Sequence, residues 1–121
     1  MKYKISLSED GTYIRIRVFE AITGDMEREF AEKAIKKAKQ HKIYKYLVDV
    51  RQAPNVSSIS EQYQFGRKDM DRISLDRFSK LAVLAEVEDK SHNFIETVFQ
   101  NAGYICRLFV NEGSALKWLK E

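Results

Sequence analysis

Proline, cysteine and tryptophan each occur once in this 121-residue chain, and glycine only five times. A lone cysteine excludes an internal disulfide, so stability must come from a buried core. So little proline and glycine excludes collagen-like and linker-rich architectures. No window approaches the roughly 18 apolar residues of a membrane span. The opening Met1-Lys2-Tyr3-Lys4-Ile5-Ser6 alternates like a strand and lacks the apolar run of a signal peptide, so a cytoplasmic protein is expected. Charge of one sign is also scarce: 21 basic and 18 acidic side chains leave a net +3, too mild to mark a nucleic-acid partner. The chain has no Walker loop, G-x-S-x-G elbow or dinucleotide fingerprint. His41 and His92 have no cysteine or carboxylate at metal-ligand spacing. These absences point away from an enzyme and call for neither metal nor cofactor.

What is present reads as one α/β domain over residues 1–121, large enough to bury roughly two-thirds of the surface its unfolded chain exposes. Glu9-Asp10-Gly11 between alternating segments predicts a hairpin. In its second strand Ile14, Ile16 and Val18 face one way and Arg15 and Arg17 the other, so that face is expected to meet water. Thr23 caps a helix running to about Gln40, in which Asp25, Glu27 and Glu29 suit the positive end of the dipole. Met26, Phe30, Ala34, Ile35 and Ala38 form its inward stripe. Tyr44 to Arg51 is a third strand. Residues 52–56, with Pro54, form a loop, and a helix from about Ser58 to Arg72 is expected to turn Ile59, Tyr63 and Met70 inward.

A fourth strand from Lys80 carries Leu81-Ala82-Val83-Leu84-Ala85, a run suited to burial on both sides. The helix opened by Ser91 stops at Asn101-Ala102-Gly103. A strand with Cys106 in the role of a small buried hydrophobe follows, then a helix with Ala115, Leu116, Trp118 and Leu119. The order is β-β-α-β-α-β-α-β-α. Right-handed crossovers adding each strand beside the last place the helices mainly on one face of a mixed, mostly parallel sheet.

The element order and Leu47-Val48-Asp49-Val50 before a polar strand-to-helix loop resemble the STAS-like, SpoIIAA-like superfamily of anti-sigma-factor antagonists. His92-Asn93-Phe94, Asn101-Ala102-Gly103, Arg107-Leu108-Phe109 and Ala115-Leu116-Lys117-Trp118-Leu119 resemble its uncharacterised SpoIIAA-like branch. The resemblance implies a regulatory, protein-binding module without enzymatic activity. It also implies phosphorylation by a partner kinase at a serine opening the helix after the third strand. Ser57 and Ser58 occupy that region, although Asn55 and Val56 replace its acidic approach and Ile59 stands at its glycine. Asp49, Arg51, Ser57 and Ser58 are therefore the candidate partner-binding or phosphorylation residues. Ser58 with Glu61 also fits a capping box, a purely structural role. A second reading takes Tyr63, Phe65, Met70 and Phe78 as the wall of a pocket for a lipid or small apolar ligand beside the second helix. Lys2, Lys4, Arg15, Arg17 and Arg107 could share the outer sheet face, but without a stacking platform they speak against nucleic acid as the partner.

Overall fold

A computed structural model describes residues 1–121. Its elements are β1 (Tyr3–Leu7), β2 (Ile14–Val18), α1 (Gly24–Gln40), β3 (Lys45–Asp49), α2 (Ile59–Gln64), a π-helical segment (Phe65–Asp69) and α3 (Met70–Arg72). β4 (Lys80–Leu84), α4 (Asn93–Asn101), β5 (Ile105–Phe109) and α5 (Glu112–Lys120) complete the chain. The five strands lie side by side in chain order; β1 is antiparallel to β2 and the remaining pairs are parallel.

Local signals set most element ends. Gly11 turns the hairpin with φ +73°, and Gly103 closes α4 with φ +89°. Thr23 accepts from the Met26 N–H to start α1. At α2 the capping box is complete: Ser58 Oγ accepts the Glu61 N–H at 3.0 Å, and Glu61 Oε1 accepts the Ser58 N–H at 2.9 Å.

The main core lies between the sheet and the helices α1, α2–α3 and α4, where Ile14, Ile16, Tyr46, Val50 and Val83 meet Phe30, Ala34, Phe65, Ile95 and Phe99. These helices share a face because each belongs to a crossover between adjacent parallel strands, whose handedness is fixed. α5 lies on the opposite face, where Ala115 and Leu119 pack on Leu47, Ala82 and Leu84. α5 belongs to no crossover between these five strands, so the handedness rule makes no demand on it, and the two-sided apolar run of β4 supplies its seat. The far face is therefore covered at β3–β5, which corrects the expectation that it meets water. Arg17 does remain exposed, near the uncovered hairpin.

The second helix also turns differently from its apolar pattern. Gln62, Phe65, Gly66, Asp69 and Met70 are buried, whereas Ile59 and Tyr63 are exposed. The buried set follows a regular i, i+3, i+4, i+7, i+8 spacing, but its glutamine, glycine and aspartate conceal it from a hydrophobicity reading. Gly66 is required by close approach: a Cβ there would stand 2.7 Å from Val98 Cγ1. Gly66→Ala is expected to cost about 1 kcal/mol, its helix-propensity gain offsetting part of the overpacking. Urea melts would check this, and an unchanged midpoint would show that α4 simply moves aside.

Candidate functional site

The junction after β3 divides between the two faces of the sheet. Asp49, on the same side of β3 as Leu47, faces α5, while Val48 and Val50 face the main core. Asp49 is buried and holds two arginines. Its Oδ1 accepts from the Arg51 N–H at 3.2 Å and Arg51 Nε at 2.9 Å. Its Oδ2 accepts from Arg51 Nη2 at 2.7 Å and Arg15 Nη2 at 3.3 Å. Glu112, in the first turn of α5, accepts from the same two arginines at 2.9 and 3.1 Å. Burial alone would push the Asp49 carboxyl up, but the Arg51 hydrogen bonds and both guanidinium charges hold it below the usual carboxylate range. The cluster is internally balanced. It clamps α5 to the sheet and commits both arginines to carboxylates of the chain itself.

Ser57 and Ser58 lie at the start of α2, among residues on the main-core side. Their loop is tied down at several points. Ile22 N–H donates to Pro54 O, Val56 N–H donates to Ile22 O, and Asn55 N–H donates to Ser91 Oγ at 2.9 Å. Asn55 Nδ2 also donates to Glu27 Oε1 at 2.7 Å. Ser57 Oγ is 3.1 Å from that same oxygen and 2.5 Å from Asn55 Oδ1. Ser57 is thus half-buried against a carboxylate, whereas Ser58 is exposed. Beside Ser58, Val56, Ile59 (69% exposed) and Tyr63 (51% exposed) present an apolar strip.

Beneath the loop is a cavity of about 90 Å³ between the sheet and α1, the π segment and α4. Of its 20 lining residues 17 are hydrophobic; Glu27, Asn55 and His92 are the polar ones. Phe65 and Met70 are in the wall. Tyr63 and Phe78 are not, Phe78 being 85% exposed on the surface. Phe65 meets Phe99 edge-on at 5.8 Å between ring centroids. Burial pushes the Glu27 carboxyl up to about 7 despite its bonds to Asn55 and Ser57. Burial likewise lowers His92, whose Nε2 lies 3.0 Å from Ala53 O and 3.4 Å from Asp89 Oδ2. Burial also pushes the Cys106 thiol up to about 12, leaving it unsuited to nucleophilic chemistry.

Glu27 and Asn55 are the site residues a sequence reading passes over. Glu27 suits the helix dipole, but it also lies four residues before Ala31 and seven before Ala34, both buried. A carboxylate in a buried helical stripe was the available signal.

A five-stranded mixed sheet with a tethered loop at a strand-to-helix junction defines a small α/β module of the STAS type. The SpoIIAA-like family model matches residues 13–120, and the chain belongs to that family. Two solved structures share the fold. One is an uncharacterized protein of the DUF3478 family with a SpoIIAA-like fold from Shewanella loihica PV-4. It has 15% identity and a TM-score of 0.57, over 97% of this chain and 91% of that one. The other is the anti-sigma factor antagonist SpoIIAA in its unphosphorylated form. It has 14% identity and a TM-score of 0.56, over 98% of this chain and 97% of that one. No curated protein matches the chain. No helix is long and apolar enough to cross a membrane.

Proposed function

We propose that this protein is a non-enzymatic regulatory module that docks a protein partner through the loop after β3 and the first turns of α2. The supporting observation is the strip of Val56, Ile59 and Tyr63, exposed beside Ser58 on a loop pinned at Ile22, Ser91 and Glu27. Apolar side chains held outward on a tethered backbone lose little further freedom on binding, which favours docking. Kinship of fold with an anti-sigma factor antagonist agrees with such a role. Asp49 and Arg51 serve it indirectly, by fixing the strand end from which the loop leaves.

Phosphorylation by a partner kinase belongs to this reading, and Ser58 is the better acceptor. A phosphoryl group on Ser57 would be half-buried against Glu27, whereas one on Ser58 would be exposed at a helix N-terminus, with only the Glu61 carboxylate of the capping box, free to swing away, to displace. Affinity capture from host extract with wild type and Ile59→Glu is the test, alongside intact-mass analysis of the protein from its own host. Loss of the captured partner in the variant is expected, with any phosphate mapping to Ser58. An identical captured set from both proteins would remove the docking surface from consideration.

The cavity supports a second reading, in which the domain binds a small apolar ligand against Phe65 and Met70. Its lining is almost wholly hydrocarbon and aromatic, as ligand pockets tend to be. Tyr63 and Phe78, outside the wall, would serve only contact with a lipid surface. Native mass spectrometry of the protein from its own host should then show a retained molecule. A bare mass, with no uptake of added apolar probes, would sink this reading.

A further inference from the structure

Glu27, one of the three polar residues lining the cavity, leaves half of its carboxyl hydrogen-bonding capacity unused. Glu27 is 3% exposed. Its Oε1 is engaged by Asn55 and lies close to Ser57, but Oε2, shielded from solvent, meets no donor at all. An unpaired carboxylate oxygen beside a hydrocarbon wall is an unfavourable arrangement that a native fold ordinarily removes. None of the charged side chains around it is free to relieve it, and Gln62 Oε1, likewise buried without a partner, is itself an acceptor. His92 Nε2 is directed at Ala53 O and Asp89. Arg28 is occupied by Asp25, with Asp69 at 3.9 Å. Glu61, which also acts on Glu27 from α2, carries the same sign of charge.

We propose that the cavity takes a small amphipath with an apolar body and one hydrogen-bond-donating head, a hydroxyl or an ammonium, and that Glu27 Oε2 accepts from that head. The inference rests on the cavity reading above and adds the chemistry of the ligand's polar end. The apolar wall takes the body without directional demands, so the carboxyl sets the orientation. A carboxylate-headed ligand such as a fatty acid anion is disfavoured, because its head would face a like charge in a poorly screened site. At about 90 Å³ the cavity is smaller than the roughly 150 Å³ that takes benzene, so a single ring is the upper limit for the body and a long acyl tail is excluded.

The test compares four probes of one shape on the full chain: toluene, benzyl alcohol, benzylamine and benzoate, titrated by amide NMR at pH 8. At that pH Glu27 is mainly ionised, since its carboxyl titrates at about 7. Benzyl alcohol and benzylamine are expected to bind at least about tenfold tighter than toluene, as for a hydrogen bond to a charged acceptor, with benzoate weakest. The ratio of amine to alcohol separates ion pairing from simple hydrogen bonding. In Glu27→Gln the amide can present N–H groups to the cavity, so benzoate should gain on benzylamine. If toluene binds as tightly as the alcohol and the amine, the cavity reading stands and the head-group inference is overturned. If none of the four binds, both fall. The wild-type ranking decides the matter even if the variant does not fold.

Discussion

Glu27→Gln should make this protein more stable at pH 8, by about 2 kcal/mol. In the folded chain the carboxyl titrates at about 7 against an ordinary 4.5. That difference corresponds to about 3 kcal/mol lost on ionising the group in its folded environment. Glutamine keeps an acceptor for Asn55 and Ser57 but leaves its own amide short of a partner, which returns about 1 kcal/mol of the gain.

The sign follows from proton binding. A carboxyl with a raised folded value holds its proton more tightly folded than unfolded. Its contribution is therefore most favourable below pH 4.5 and declines as pH rises through 7. His92 acts in the opposite direction: lowered by burial, it supports the fold above its ordinary 6.5 and withdraws that support as pH falls. The two offset each other in wild type. In Glu27→Gln only the His92 trend should remain, so stability should fall steadily from pH 7 to 5. Urea melts at pH 5, 6, 7 and 8 on both proteins check this. A variant no more stable than wild type at pH 8 would mean that Glu27 is solvated.

Asp49→Ala should be the most damaging polar substitution, costing about 3 kcal/mol at pH 7. Deleting one partner of a buried pair costs about 3–5 kcal/mol when it strands a charge in the interior. The lower end applies because Arg15 and Arg51 both reach solvent and retain Glu112. Asp49→Asn keeps an acceptor and should lose less. Because its carboxyl is held below the usual range, Asp49 supports the fold above pH 4. That support fades as pH falls through the depressed value, so wild type and variant should converge in acid. Hydrogen exchange gives a second readout: amides of α5 should lose protection before those of α1, since Asp49 and Glu112 tie α5 to the sheet through shared arginines. Equal loss throughout would mean that α5 is held by Ala115 and Leu119 alone.

The architecture was largely legible because its signals are local. Thr23, the Ser58–Glu61 pair and Gly103 each mark a helix end through their own hydrogen bonds or backbone freedom, with no reference to distant chain. The β4 run indicated burial on two sides, while Arg15 and Arg17 indicated water on one. The first holds where α5 covers that face, and the second holds only for Arg17, since Arg15 is drawn into the cluster with Asp49 and Glu112. Neither sequence signal states where a terminal helix lands.

The site was legible only in part. Ser57 and Ser58 were placed by the strand-to-helix junction, and Phe65 and Met70 by their apolar character. Tyr63 and Ile59 read as core from their apolar character, because the stripe that is buried includes Gln62 and Asp69, whose polarity hides it. Glu27 was missed because a carboxylate in a first helical turn has an ordinary electrostatic explanation, and only the path of residues 52–57 shows what lies over it. The grouping of Asp49 and Arg51 with the serines reflected their nearness in sequence. A strand alternates its side chains, so the residue at its end can belong to the opposite side of the sheet from the loop that follows.

Strands laid down in chain order leave the first and the last at the two margins of the sheet. At the β5 margin α4 takes part of the edge, Glu96 Oε2 accepting the Leu108 N–H at 2.7 Å and Gln100 Nε2 donating to Cys106 O at 2.9 Å, whereas the β1 margin has no such cover and invites another copy to add on. β1 bears exposed Lys4, with exposed Lys2 just before it, and β5 bears exposed Arg107. Margin-to-margin stacking of two copies would set cation beside cation whether β1 met β1, β5 met β5 or one met the other. Like charge at both margins therefore disfavours growth of the open sheet into a ribbon.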